Sequence, residues 1–249
     1  MKEEQKRPRP TVDQLNEIEQ LKAKLHDAHL LSDDARDEAK ERLDKLFSSY
    51  DWTNYKFTDP ATGKKGVKNA VGQILVPADY EDFTFVGDRY LFDYPTLGAK
   101  KDGKYGIVAA DGSDHVFTDF RFDALVCYPY ATMYQAYWDG IKDKFGLVTG
   151  NGTVLVPNVL TACHEPWNDF VLLEGDGKYG ALDLNTLKVV VPEYDKVDLD
   201  DNEEVVFHKD GVEGYIVEDT GEFVPKDKIE DDEEYVDVYV YNTYDNDMF

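Results

Sequence analysis

The sequence predicts a mainly β protein: an array of about five three- to four-stranded β repeats, propeller-like or solenoid-like, preceded by an N-terminal α-helical hairpin. Three observations lead there. A glycine-marked motif recurs at near-regular spacing, and a self-similar period of this length is the mark of stacked repeats. The stretches between the glycines hold most of the 17 Tyr and 13 Phe, residues that fit a pleated, half-buried surface. Only the first fifty residues show apolar positions at helical spacing. The organisation that follows is a helical hairpin or cap over 1–50, a β-repeat domain over 51–230, and an acidic, Tyr-rich C-terminal strand or tail over 231–249.

From the N-terminus, Leu15, Ile18, Leu21 and Leu25 form one apolar stripe between charged residues in a first helix spanning Thr11 to His29. Ser32 is placed to cap a second helix, with Asp33 and Asp34 in its first turn where the helix dipole favours acids. Ala35, Ala39, Leu43 and Leu46 line that second helix, so the chain turns near Ala28 to Ser32. The hairpin either covers an exposed edge of the β region or meets a partner.

Five copies of the repeat follow, marked by Gly66, Gly106, Gly146, Gly180 and Gly214 at spacings of 40, 40, 34 and 34. Three residues before the marker stands Gly63, Gly103, Gly177 or Gly211, missing in the third copy. Six or seven residues after it comes Gly72, Gly112, Gly152 or Gly221, where Asp111-Gly112 and Asn151-Gly152 are strong turn signals. A strand then runs to proline: Ile74 to Pro77, Val154 to Pro157, Val189 to Pro192 and Phe223 to Pro225, with Val116-Phe117 in the second copy lacking it. Proline cannot donate to a continuing ladder, so the strand is expected to stop there. The triplets Ile74-Leu75-Val76 and Val189-Val190-Val191 do not alternate, which predicts burial on both faces. An aromatic and acidic step closes the unit, as in Tyr80-Glu81, Phe122-Asp123 and Tyr194-Asp195. One such unit cannot bury its own core, so neighbours must stack. Val236, Val238 and Val240 alternating with tyrosines suggest a final strand that completes or covers one end.

These motifs resemble the WG-repeat (KWG-repeat) family, whose unit reads Gly-Lys-Trp-Gly-Tyr-Ile-Asp, then Thr-Gly-Lys, Val-Ile-Pro and Tyr-Asp. The resemblance covers residues 55 to about 230. Lys65, Tyr105, Phe145, Tyr179 and Glu213 stand where the family has tryptophan. It implies a β-rich repeat array of a kind common in bacteria, suspected of binding roles and without shared catalytic residues, so it assigns no site to this chain.

Charge narrows the function. The chain has 27 basic and 52 acidic residues, net −25, and the last 57 residues alone hold 4 basic and 21 acidic, net −17. Phosphate contacts need clustered Lys and Arg, so direct nucleic-acid binding is not expected, and anionic membranes are disfavoured for the same reason. No stretch reaches the roughly 18 apolar residues of a membrane helix. Met1 to Pro10 is charged and followed by no apolar segment, so a cytoplasmic location is the expectation. Two cysteines, Cys127 and Cys163, are too few for a disulfide framework.

Chemistry finds little footing. His26, His29, His115, His164 and His208 lack metal-ligand spacing. Cys163-His164-Glu165 is a contiguous run, whereas a nucleophile and its base normally meet from distant positions. Asp198-Leu199-Asp200-Asp201-Asn202 begins like a calcium loop but has Glu203 in place of the sixth-position glycine and Lys209 in place of the twelfth-position glutamate. No enzyme activity, cofactor or metal is expected.

The expected function is therefore protein binding through an acidic face, with a basic protein as partner. The candidate contacts are Asp198, Asp200, Asp201, Glu203, Glu204, Glu230, Asp231, Asp232, Glu233, Glu234, Tyr235 and Tyr239. The sharpest form is an inhibitor or immunity protein, a nucleic-acid mimic acting on a nucleic-acid-acting protein. Alternatives are a glycan- or cell-wall-binding protein stacking sugars on Trp52, Trp138 and Trp167, a scaffold with no inhibitory role, or an enzyme on a β scaffold.

Overall fold

The computed structural model describes residues 7–27, 31–84, 96–128, 133–166, 169–200, 204–217 and 222–229. It is mainly β, with five antiparallel sheets of three or four strands and two N-terminal helices paired as a hairpin. The chain divides into two compact units, one reaching from the N-terminus to Cys127 and including Gly150–Gly152, the other holding the rest.

In the first unit, α1 (Val12–His26) follows the N-cap Thr11, and α2 (Asp33–Ser49) begins at Ser32, the cap its sequence announces. Thr11 and Gln14 form a reciprocal capping box, and the Ser32 hydroxyl accepts from the Ala35 amide. The apolar stripes meet, with Ile18 and Leu46 fully buried, and Arg42 grips Glu17 across the pair with two bonds of 2.6 and 3.0 Å. The same cluster takes in Trp52 and Ala70, a residue in a turn of the first repeat. Trp52 donates from Nε1 to the Leu46 carbonyl at 3.0 Å, satisfying its polar atom in the core. The hairpin thus packs onto the first repeat and covers it from the turn side.

The first sheet has the order β1-β2-β3, from Tyr55–Thr58, Lys65–Lys68 and Ile74–Tyr80. The second is β4 (Asp82–Phe83), β5 (Thr96–Lys101) and β6 (Lys104–Ala109), extended by single bridges from Tyr105 to Phe122 and Val108 to Val116. Val67, Val76, Tyr80, Phe83, Leu97, Ala99 and Val108 fill one core shared by the two sheets.

The third sheet follows β7 (Ala124–Tyr128) with β8 (Met133–Tyr137), β9 (Phe145–Thr149) and β10 (Val154–Leu160), in the order β10-β9-β8-β7. The fourth runs β11 (Ala162–Cys163), β12 (Phe170–Gly175), β13 (Lys178–Asp183), β14 (Val189–Tyr194). The fifth runs β15 (Lys196–Leu199), β16 (Val205–Lys209), β17 (Val212–Ile216), β18 (Phe223–Pro225). The fourth sheet is buried on both faces. Val171, Leu173 and Leu182 join the core of the third sheet, while Phe170 and Ala181 join the core of the fifth. Alternation along one strand therefore feeds two cores.

Two expectations change. Proline ends the third strand of the repeat only in the fifth copy, where β18 stops at Pro225; in the three other proline-bearing copies it does not. β3, β10 and β14 run through Pro77, Pro157 and Pro192, and the pairing register shifts beside each one. A bulge leaves an unpaired residue, so a residue without an N–H costs the ladder little there. The apolar triplets are not uniformly buried either: Val76 is covered, but Ile74 and Val191 are 55% and 50% exposed. They lie on the last strand of each sheet, whose outer end reaches solvent.

In the first, third and fourth sheets the bulge also accounts for the marker glycines. Each pairs with the same position of the preceding long strand: Phe57↔Gly66, Ala99↔Gly106, Ala136↔Gly146, Leu173↔Gly180 and Phe207↔Gly214. A Cβ on Gly146 would lie 2.4 Å from the Val156 carbonyl oxygen and 2.4 Å from the Trp138 ring. On Gly180 it would lie 2.2 Å from the Val190 carbonyl oxygen. The bulged strand folds over the marker, so only a hydrogen fits.

Candidate functional site

The acidic C-terminal quarter is the region to which the sequence assigns binding, and its described part is the fifth sheet. Of the candidate residues, Asp198, Asp200 and Glu204 lie among the described residues; Asp201, Glu203, Glu230, Asp231, Asp232, Glu233, Glu234, Tyr235 and Tyr239 lie outside them.

Asp198 sits on β15 opposite Val206. Its carboxylate meets Nε2 of His208 at 3.0 Å and the ammonium of Lys196. Glu213, cross-strand from His208, lies 3.9 Å from that ring's Nδ1. Asp200 follows the end of β15 and is turned inward, its side chain only 10% exposed. One oxygen accepts from the Glu204 amide at 3.1 Å; the other accepts from the Tyr215 hydroxyl at 2.9 Å and lies 3.6 Å from Lys226 Nζ. Lys226 also lies over the Tyr215 ring.

This network shifts its members. Burial raises the Glu204 carboxyl above the usual range, the Asp200 charge raises it further, and Lys226 opposes both. Burial raises the Tyr215 phenol, and so does its hydrogen bond to Asp200. Contact with Tyr215, more than with Asp200, raises Lys226. Asp200, Tyr215 and Lys226 come from three separate elements. Their meeting depends on strand pairing, so nothing in local spacing announces it.

The outward charge belongs to other residues. Glu193 on β14 of the fourth sheet, Asp195 after it, and Asp210, Glu213, Glu222 and Asp227 of the fifth repeat are exposed carboxylates that the run-based reading passed over, because none sits in a contiguous acidic stretch. Lys209 pairs with Glu193 at 3.2 Å, and Lys178 pairs with Asp195. Asp195 is lowered first by its hydrogen bond to Lys178, then by the Asp210 amide, and stays ionised.

Elsewhere, Cys163 packs half-buried against the core of the third and fourth sheets, and burial pushes its thiol up to about 12. A neutral thiol is a poor nucleophile. His164 does not engage its neighbour in the run; its Nε2 lies 3.5 Å from Glu174, and its carbonyl accepts from the Tyr128 hydroxyl. Among the described residues no group of three or more His, Cys, Asp or Glu could hold a metal ion, and no helix is long and apolar enough to cross a membrane. Of the tryptophans, Trp52 is 4% exposed with its N–H already bonded, which removes it as a sugar platform. Trp138 is half-buried over Gly146, and Trp167 lies outside the described residues.

No protein-family model matches the chain, and no curated protein matches it.

Proposed function

We propose that the chain is a WG-repeat-type array that binds a basic protein partner through its acidic C-terminal quarter, in the cytoplasm and without enzymatic activity. Its sharpest form is an inhibitor or immunity protein that occupies the nucleic-acid site of a nucleic-acid-acting protein. The observation that carries the proposal is the concentration of charge, net −17 over residues 193–249. Asp200 is turned into the fifth repeat against Tyr215, Lys226 and the Glu204 amide, while the partly exposed Asp198 is paired with His208. Contact falls to the exposed carboxylates Glu193, Asp210, Glu213 and Glu222, together with the run Glu230–Glu234 and its neighbours Tyr235 and Tyr239.

An acidic face speeds encounter with a basic partner most at low ionic strength. The test is affinity capture from the native cell at low and at high salt, with the bound proteins identified, repeated with Glu213→Lys and Glu222→Lys together. The expected result is a basic, nucleic-acid-acting protein, captured at low salt, weakened by salt and lost with the double charge reversal. Capture of neutral or acidic proteins alone, or binding indifferent to salt, overturns the proposal.

A further inference from the structure

Just beyond β15 the fifth repeat holds a cation, and the groups that build the site are held far more firmly than the cation itself. Asp200 and Glu204 tie the two ends of the β15–β16 loop together. The Asp200 amide donates to the Glu204 carbonyl at 2.9 Å, and the Glu204 amide donates to Asp200 Oδ1 at 3.1 Å. Tyr215, buried on β17, donates from its hydroxyl to Asp200 Oδ2 at 2.9 Å. All three residues lie on, or directly beside, strands paired within one sheet. A carboxylate taken out of water needs a cation or several donors. Lys226 brings an ammonium, its Nζ 3.6 Å from Asp200 Oδ2 and 5.7 Å from the centre of the Tyr215 ring, inside cation–π range.

Lys226 itself is weakly anchored. It opens the single turn Lys226–Lys228, which has no side-chain cap, buries none of its residues and closes on one backbone bond of 3.4 Å. A segment with so little burial opens at low free-energy cost. The sheet therefore keeps the site when the turn leaves it. Asp200 Oδ1 is engaged by the Glu204 amide, so the carboxylate cannot give both oxygens to a guanidinium. One oxygen beside a ring face suits the compact ammonium of lysine better than the fork of arginine. We propose that Asp200 and Tyr215 form a recognition site for a lysine ammonium of the partner protein, occupied in cis by Lys226 until that lysine displaces it. The partner's part in this rests on the docking reading; the ammonium site does not.

The test uses the full-length chain with n-propylammonium chloride as the probe, against sodium chloride at equal ionic strength. Binding is followed by the NMR shifts of the Glu204 and Tyr215 amides. Occupancy in cis lowers the apparent affinity by the fraction of time the site stands open, so Lys226→Ala should bind the probe at least about tenfold more tightly than the wild type. Lys226→Gln keeps the stem without the charge, should gain in the same direction, and covers the case in which the alanine variant fails to fold. Adding Asp200→Asn, which keeps an acceptor and drops the charge, should abolish the gain. n-Propylguanidinium should bind the opened variant at least about threefold more weakly than the ammonium. No gain in either Lys226 variant, a gain that survives Asp200→Asn, or equal binding of the guanidinium overturns the proposal. The probe needs no partner, so its failure and the failure of salt-dependent capture are separate results.

Discussion

The first and fourth sheets are built on one repeat, yet they solve its packing differently. In the fourth sheet the Cβ position of Gly180 is walled by backbone: Val190 O at 2.2 Å, Val191 C at 2.7 Å and Pro192 N at 2.8 Å. In the first, Gly66 faces the Phe57 ring at 2.5 Å and the Val76 carbonyl oxygen at 2.7 Å. One neighbour of Gly66 is therefore a side chain on a partly exposed strand, while Gly180 sits in a sheet with cores on both faces. An inner repeat has no room to relax, and an outer one has some.

Alanine at the two markers is the strongest way to break that contrast. Gly180→Ala should cost about 3 kcal/mol, the upper end for overpacking a rigid site, because the bulged strand itself must move. Gly66→Ala should cost about 1–2 kcal/mol, since Phe57 can swing away and only the carbonyl contact persists. Equilibrium urea unfolding of both variants measures the difference. Equal losses would mean that the bulge carbonyl alone sets the cost.

The marker spacing was legible in the sequence because the steric demand falls on a single residue type. At Gly66, Gly146, Gly180 and Gly214 a Cβ would lie within 2.7 Å of a neighbouring atom, and at Gly106 within 3.0 Å, so the period survives wherever its strands vary. The Ser32 cap of the second helix was legible for a similar reason, being a local bond between residues three apart. The bulge at Pro77, Pro157 and Pro192 was not, because proline forbids a ladder bond without saying whether the strand ends or detours. The site was read least well. Contiguous acids are conspicuous in sequence, but Asp200 draws in Tyr215 and Lys226 from β17 and the turn beyond β18, and pairing at that range leaves no local trace.

Charge offers a second contrast, between Asp82 on β4, held by lysines of the first sheet, and the acidic fifth repeat. Asp82 is held down at about 2: burial would raise it, but hydrogen bonds from Lys56, the Phe83 amide and Lys65 outweigh that penalty. A carboxyl whose folded value is depressed stabilises the fold above its unfolded value, and loses that contribution as pH falls toward about 2. Glu204 shifts the other way, so its stabilising contribution lies at low pH and is lost as pH rises through its elevated folded value. Asp82→Asn should flatten the acid limb of stability between about pH 4 and pH 2. Glu204→Gln should instead raise stability at neutral pH, where the wild-type carboxylate is buried against Asp200. Thermal melts of both variants from about pH 2 to about pH 7 check the opposite signs, and an unchanged acid limb in Asp82→Asn would remove the Lys56 and Lys65 pairings from the account.

The smallest effect rests on the closest likeness between the two sheets. Asp59-Pro60-Ala61-Thr62-Gly63-Lys64 and Asp183-Leu184-Asn185-Thr186-Leu187-Lys188 make the same six-residue loop. In each, the aspartate accepts from the amide two residues on and from the threonine hydroxyl, and its carbonyl accepts from the amide of the fifth residue. That fifth residue has φ of +72° at Gly63 and +57° at Leu187. Glycine reaches this conformation freely, whereas leucine brings its Cβ against the following carbonyl, at about 1–2 kcal/mol. Leu187 is 37% exposed, so little packing offsets the strain. Leu187→Gly should therefore stabilise the protein, by about 0.5–1 kcal/mol after the added freedom of glycine in the unfolded chain is subtracted. Gly63→Leu should lose a similar amount, and nothing crowds the Cβ position there to confuse the reading. Chemical unfolding of the two reciprocal variants is the check. A loss of stability in Leu187→Gly would show that the leucine side chain contributes more by contact than its backbone costs in strain.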